Sequence, residues 1–191
     1  MVVPEVEELQ AGEPQATVIE NARRKALRGT EMAGKGDNLV LGVDTEVVLD
    51  GELLGKATDG EEARRRLNAL SGRTHEVLSG MVVIEGGATE RSGVERSKVT
   101  FRDLPSQLLE AYLASGEWRD RAGAYAVQGL GSSLVARVDG ELANVIGLPV
   151  KLLMQLVPAL LDKPGDSRMQ SGFLPNSQVQ LKFRNRASFW P

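Results

Sequence analysis

From residue 14 to 27 apolar positions recur at helical spacing, with Val18, Ala22 and Ala26 on one face. Pro14 suits the first turn of that helix, and Arg23, Arg24, Lys25 and Arg28 load its end with positive charge, where the helix dipole favours it. Gly29 and the polar stretch 34–38 predict a loop. The uninterrupted apolar run 39–43 predicts a buried strand that ends at Asp44. Residues 47–54 predict a hairpin turning at Asp50-Gly51.

Downstream, Thr58-Asp59-Gly60-Glu61 is a capping-box pattern opening a helix on Ala63, Leu67 and Leu70, with Gly72 placed to end it. Residues 77–85 and 94–101 predict two strands joined across Gly86-Gly87. Asp103 is placed to cap a helix with Leu104, Leu108 and Tyr112 on one face. A Gly-rich segment, 123–131, precedes a strand at 134–138 and a turn at Asp139-Gly140. Pro149 opens a last amphipathic helix through Leu161. Val2 and Val3 read as the end of a strand. Strands and helices alternate without strict βαβ regularity, which predicts a mixed α/β sheet.

After Asp162 the pattern fades. Three of the four Phe and one of the two Trp lie there among Ser, Gln, Asn and Arg. The expected organisation is therefore one domain over 1–161 and a tail, 162–191, that is weakly structured or docked on a partner.

Composition narrows the chemistry. A chain of 191 residues with 41% hydrophobic and 26% charged residues has the make-up of an ordinary globular protein. A formal net charge of −3 gives no reason to expect nucleic-acid binding, and no apolar run approaches the roughly 20 residues of a membrane span. The N-terminus lacks a signal-peptide pattern, and the absence of cysteine fits a reducing cytoplasm. With His75 as the single histidine, a Ser-His-Asp triad or a histidine-rich metal site is disfavoured. Any metal would be held by oxygen, which favours magnesium or manganese.

Asp44 is the first candidate for chemistry, because a buried carboxylate is costly unless a cation, a metal or a substrate compensates it; a capping or turn role is the alternative. Glu7-Glu8 is a second acidic candidate, weighed against a solvated pair, and nothing local brings Glu8 to Asp44. Glu46 would share a face with Asp44 if the strand continued and could then add a metal ligand, but an exposed hairpin position is the expectation. Lys25 and Lys56 are cations suited to a phosphate chain; Lys25 is otherwise solvated charge, while Gly55 permits close approach at Lys56. Arg121 is a third cation, with a salt bridge as the plain alternative. Gln128, beside flexible Gly129 and Gly131, can both donate to and accept from a base edge. His75 reads as structural.

Seven segments in order, among them Glu20-Asn21-Ala22-Arg23-Arg24-Lys25-Ala26, Gly42-Val43-Asp44-Thr45, Leu53-Leu54-Gly55-Lys56, Leu70-Ser71-Gly72-Arg73-Thr74-His75 and Ala122-Gly123-Ala124-Tyr125-Ala126-Val127-Gln128-Gly129, resemble the Maf family of nucleoside triphosphate pyrophosphatases. The resemblance covers about 1–161 and implies an α/β fold with a central cleft, like that of the inosine triphosphate pyrophosphatases and often dimeric. It implies hydrolysis of the α–β bond of a triphosphate with a divalent metal, magnesium or manganese. Asp44 would be the catalytic acid, accepting a proton from water or holding metal; Glu8 would be a metal-site acid; Lys25 and Lys56 would face phosphate. Thr45 and Gln128 resemble the branch acting on dTTP and UTP.

The pattern departs from the family at three places. The family's Ser-x-Ser-Pro-Arg-Arg phosphate loop has no counterpart here, Ala57 stands where a proline is usual, and Arg121 where a lysine is usual. The expectations for the missing loop are a late start, a fragment or a substitute segment. An alternative function follows from it: a nucleotide-binding or regulatory protein with little or no turnover.

Overall fold

The computed structural model describes residues 6–34, 36–161 and 179–181. The expected strand at Val2-Val3 and most of the 162–191 tail lie outside the described residues.

The first helix, α1 (Pro14–Ala33), starts where Pro14 fits the first turn and the Glu13 carboxylate accepts the Ala16 N–H at 2.8 Å. It runs past Gly29, where a loop was expected. An added Cβ there would meet the Val40 side chain at 2.9 Å, so the missing side chain lets helix and sheet close together. Arg23, Arg24, Lys25 and Arg28 consequently lie within the helix rather than at its end.

The strand after it, β1 (Leu39–Leu49), is continuous over 11 residues and does not stop at Asp44. Asp44, Thr45 and Glu46 pair in register with Gly80, Ser79 and Leu78 of β3 (Thr74–Glu85), so ladder bonds carry the strand through its polar centre. A turn at Asp50-Gly51, both at positive φ, leads to β2 (Glu52–Leu53). Then come α2 (Gly60–Leu70), β4 (Thr89–Phe101), α3 (Ser106–Ser115), a 3-10 helix (Gly129–Leu134), β5 (Val135–Asp139), α4 (Leu142–Ile146), α5 (Val150–Leu156) and a second 3-10 helix (Pro158–Leu161). The sheet order is β2-β1-β3-β4-β5, antiparallel throughout, with β6 (Val179–Leu181) added parallel to Leu39–Leu41 of β1. The mixed α/β class is as expected, and three residues of the tail dock on this chain's own sheet.

Several boundaries differ from the sequence reading for identifiable reasons. The α2 cap is shifted by one: Asp59 accepts the Glu62 N–H at 2.7 Å, while the Glu62 carboxylate receives the Thr58 N–H at 2.8 Å. Asp103 does not cap α3, since Pro105 holds that position; its carboxylate instead lies against Gly72, whose φ is +67°. The last helix breaks before Pro158, which has no N–H to continue it.

Alternation along β1 sorts the core. Leu39 and Leu41 face α5 with Met81, Val83, Leu152 and Leu153. Val47 and Leu49 point the same way into the largest cluster, with Leu67 and Leu70 of α2, Tyr112 of α3 and Phe101. The even-numbered side chains face α1, in two smaller clusters built on Val18, Val48 and Leu78 and on Ala22, Ala26, Val82 and Ile84. Between those two apolar clusters, on the α1 side, lie Asp44 and Glu46.

Candidate active site

Two glycines let α1 sit directly on the sheet beside Asp44. A Cβ at Gly42 would stand 2.1 Å from the Ala22 carbonyl oxygen, and one at Gly80, opposite Asp44 in the register, 2.3 Å from that of Val18. Both obstacles are backbone, so neither position admits a side chain without moving the helix. The close approach brings the inward stripe of α1 onto Asp44, and that stripe carries Asn21 and Lys25 four residues apart.

Asn21 is fully buried and uses its amide completely. Its Oδ1 accepts the Leu9 N–H at 2.7 Å, and its Nδ2 donates to the Leu9 carbonyl at 3.1 Å and to Asp44 Oδ2 at 3.0 Å. The irregular segment ahead of α1 is therefore clamped to the helix, with help from Arg24, which donates to the Glu7 carbonyl at 2.8 Å. This clamp delivers the Glu8 carboxylate to the site.

There Lys25 Nζ makes its closest contact with Asp44 Oδ1 and lies 2.9 Å from Glu8 Oε1. Lys56 Nζ reaches Glu8 Oε2 at 3.1 Å. Lys56 is positioned by Gly55, at φ +39°, and by an antiparallel bridge to Ala122, with the Gly123 N–H donating to the Gly55 carbonyl at 2.7 Å. The other cations of α1 turn outward: Arg23 to Glu90, Arg24 to Glu20 and Arg28 to Glu31.

Glu8, Lys25, Asp44 and Lys56, far apart in sequence, thus form one ion cluster. Asp44 is 5% exposed. Burial acts to raise the Glu8 pKa, but Lys25 and Lys56 outweigh it and bring it down to about 2. Glu8 is a carboxylate at neutral pH.

Glu46 joins this neighbourhood, contrary to the expectation of an exposed hairpin position. It is 7% exposed and its Oε2 has no hydrogen-bond partner. Burial, reinforced by the Asp44 charge, pushes its pKa up to about 7, against the opposing pull of Lys56 and Lys25.

The two residues assigned to base selection are not part of this cluster. Thr45 points to the opposite face of β1, where its hydroxyl shares a 2.7 Å hydrogen bond with Ser79. Gln128 is exposed just ahead of the Gly129–Leu134 helix, which Glu117 anchors by accepting the Leu130 and Gly131 N–H groups at 3.1 Å each. Arg121 precedes the residue that bridges Lys56. His75 is buried with Nε2 2.8 Å from the Tyr125 hydroxyl, edge-on to Phe101 and Tyr125, as the structural reading expected.

Sequence reasoning passes over Asn21 and sets Glu46 aside as an exposed hairpin residue, yet each carries a signal. An Asn on an apolar helix stripe, one turn before Lys25, needs buried partners. Glu46 follows Asp44 by two, which places it on the same face once the strand is continuous.

As a setting for a divalent cation, the donor chemistry fits: Glu8, Asp44 and Glu46 offer hard oxygens, one of them buried and orphaned. Among the described residues no three carboxylates yet converge at metal-ligand distance, and the Lys25 ammonium contacts both Glu8 and Asp44.

The sequence model of Maf-like proteins matches residues 1–160. The dTTP/UTP pyrophosphatase of Pyrococcus furiosus is 40% identical over 152 residues, 79% of this chain and 78% of that protein. That of Methylococcus capsulatus is 45% identical over 154 residues, 81% and 74% of the two chains. That of an Anaeromyxobacter species is 43% identical over 176 residues, 87% and 83%. With a match over most of its length and identities of this size, the chain belongs to the family of Maf-like proteins.

Proposed function

We propose that this chain hydrolyses nucleoside triphosphates, dTTP and UTP in particular, to the monophosphate and pyrophosphate, as a house-cleaning activity of the nucleotide pool. The observation that carries the reading is the buried cluster of Glu8, Lys25, Asp44 and Lys56, in a chain similar to enzymes named dTTP/UTP pyrophosphatases. Those relatives favour turnover over the nucleotide-binding alternative.

Lys25 and Lys56 exchange carboxylate partners for phosphate oxygens when substrate arrives. That exchange frees Asp44 Oδ1 to receive a proton from the attacking water, while Asn21 keeps the other oxygen fixed. Glu8 and Asp44 would hold a divalent cation, magnesium or manganese, which supplies charge to offset the phosphate oxygens. Thr45 and Gln128 remain the proposed base selectors, Thr45 acting through the Ser79 contact beneath the strand and Gln128 from its exposed loop. Residues 1–161 are the proposed catalytic unit, working on a small-molecule substrate in the cytoplasm as a homodimer without nucleic acid or membrane.

The test is a panel of nucleotides with magnesium or manganese, scored for pyrophosphate and for orthophosphate. Pyrophosphate from dTTP and UTP ahead of the purine triphosphates is the expected result. Orthophosphate as the sole product would overturn α–β cleavage.

A further inference from the structure

Along β1 the side chains of Asp44 and Glu46 project from the same face, toward α1, because the strand continues through both. Glu46 is as enclosed as Asp44 but differently served. Asp44 has Lys25 on one oxygen and Asn21 on the other, whereas Glu46 has a buried oxygen with no hydrogen bond at all. The nearby ammonium groups are engaged elsewhere, Lys25 with Glu8 and Asp44 and Lys56 with Glu8. Glu46 follows Asp44 by two residues on an unbroken strand, so it stands on the cluster's side of the sheet.

A purely structural acid in that position would be expected to find a donor, since buried polar atoms are paired in folded proteins. Nor does its position serve packing: Val48 and Val40 show that apolar residues suit the α1 side of the same strand. Hard divalent cations take several carboxylate oxygens at once, and an unpartnered oxygen beside two acids is a donor in waiting.

We propose that Glu46 is a third carboxylate ligand of the divalent-cation site, beside Asp44 and Glu8. The proposal rests on the reading that Glu8 and Asp44 hold such a cation. Glu46 adds a ligand on β1 itself, fixed by the sheet, where Glu8 arrives on an irregular segment held by the Asn21 clamp. It therefore sets affinity for the cation, and its removal is felt before any nucleotide is bound.

The experiment titrates Mn2+ alone into the full chain and follows free Mn2+ by electron paramagnetic resonance. Thermal melting in chelator reports folding of each variant. Glu46→Gln, which keeps shape and removes charge, is expected to weaken Mn2+ binding about tenfold or more while melting no lower than the unaltered chain. Mn2+ affinity unchanged in Glu46→Gln overturns the proposal. If Asp44→Asn loses Mn2+ while Glu46→Gln keeps it, the Asp44 site stands and Glu46 is excluded from it. Absence of saturable Mn2+ binding in the unaltered chain overturns both assignments. Should Glu46→Gln fail to fold, Glu46→Asp keeps the charge but withdraws the carboxylate by one methylene, and is expected to bind Mn2+ measurably more weakly. Parity with the unaltered chain would then overturn the proposal.

Discussion

Asn21 makes three hydrogen bonds from one buried amide: two hold the irregular segment that carries Glu8, and one fixes Asp44 Oδ2. Removing the amide strands a buried carboxylate oxygen and a backbone pair, each costing on the order of 1–3 kcal/mol. Asn21→Ala is expected to lower unfolding stability by about 3 kcal/mol, read by urea denaturation, and to cut turnover at least tenfold. Asn21→Asp is expected to be worse, because it sets a second negative charge within 3.0 Å of Asp44 Oδ2. Equal behaviour of the two variants would mean that the amide does not orient Asp44.

His75 gives a separate, pH-dependent prediction away from the site. Burial holds its pKa down at about 4 against an ordinary 6.5, so the unfolded chain binds the extra proton between those values and the folded one does not. Its contribution to stability is fully present above pH 6.5 and is lost as the pH falls toward 4, by about 3 kcal/mol in all. The urea midpoint is expected to drop between pH 7 and pH 4.5, and to drop less in His75→Phe. A slope identical in both chains would remove His75 as its source.

At the scale of elements, the site depends on how closely α1 rests on β1 and β3. Gly42→Ala and Gly80→Ala each drive a methyl into helix backbone, at 2.1 and 2.3 Å, and cannot be relieved by a rotamer change. Each is expected to destabilise by about 1–3 kcal/mol and to displace Lys25 from Asp44. Thermal melting and the turnover assay should fall together, and a variant with full stability and full activity would show that the approach is not needed.

The same elements explain what could be read in advance. Strand and helix identities followed from periodicity, and Asp44, Lys25 and Lys56 followed from their motifs. Ending the strand at Asp44 misplaced Glu46, because a polar triplet inside an apolar run reads as a terminus when the pairing partner is unseen. Gly29 read as a loop because the contact it permits, with Val40, joins two elements. The meeting of Glu8 with Asp44 followed only from the family resemblance and not from the local pattern: it is made by the Asn21 clamp and the glycine gap, neither of which is local to either acid.

For the whole molecule, the five antiparallel strands form a floor, and the charge cluster is closed in by α1 above and by the Lys56 bridge at the side. Among the described residues no helix is long and apolar enough to cross a membrane. Ligand binding to such a site raises stability by mass action. A non-hydrolysable dTTP analogue with magnesium at about 100 times its dissociation constant should add about 2.7 kcal/mol, or roughly 5–10 °C in melting temperature. Excess chelator is expected to remove most of that shift and to stop turnover; full turnover in chelator would remove the cation from the account.

The most direct measurement of the central claim is pyrophosphate release from dTTP by the unaltered chain and by Asp44→Asn, with folding of both checked by thermal melting. Turnover is expected in the first and a loss of about 100-fold or more in the second, the scale set by removing a positioned proton acceptor. A folded Asp44→Asn that releases pyrophosphate at the full rate would contradict it.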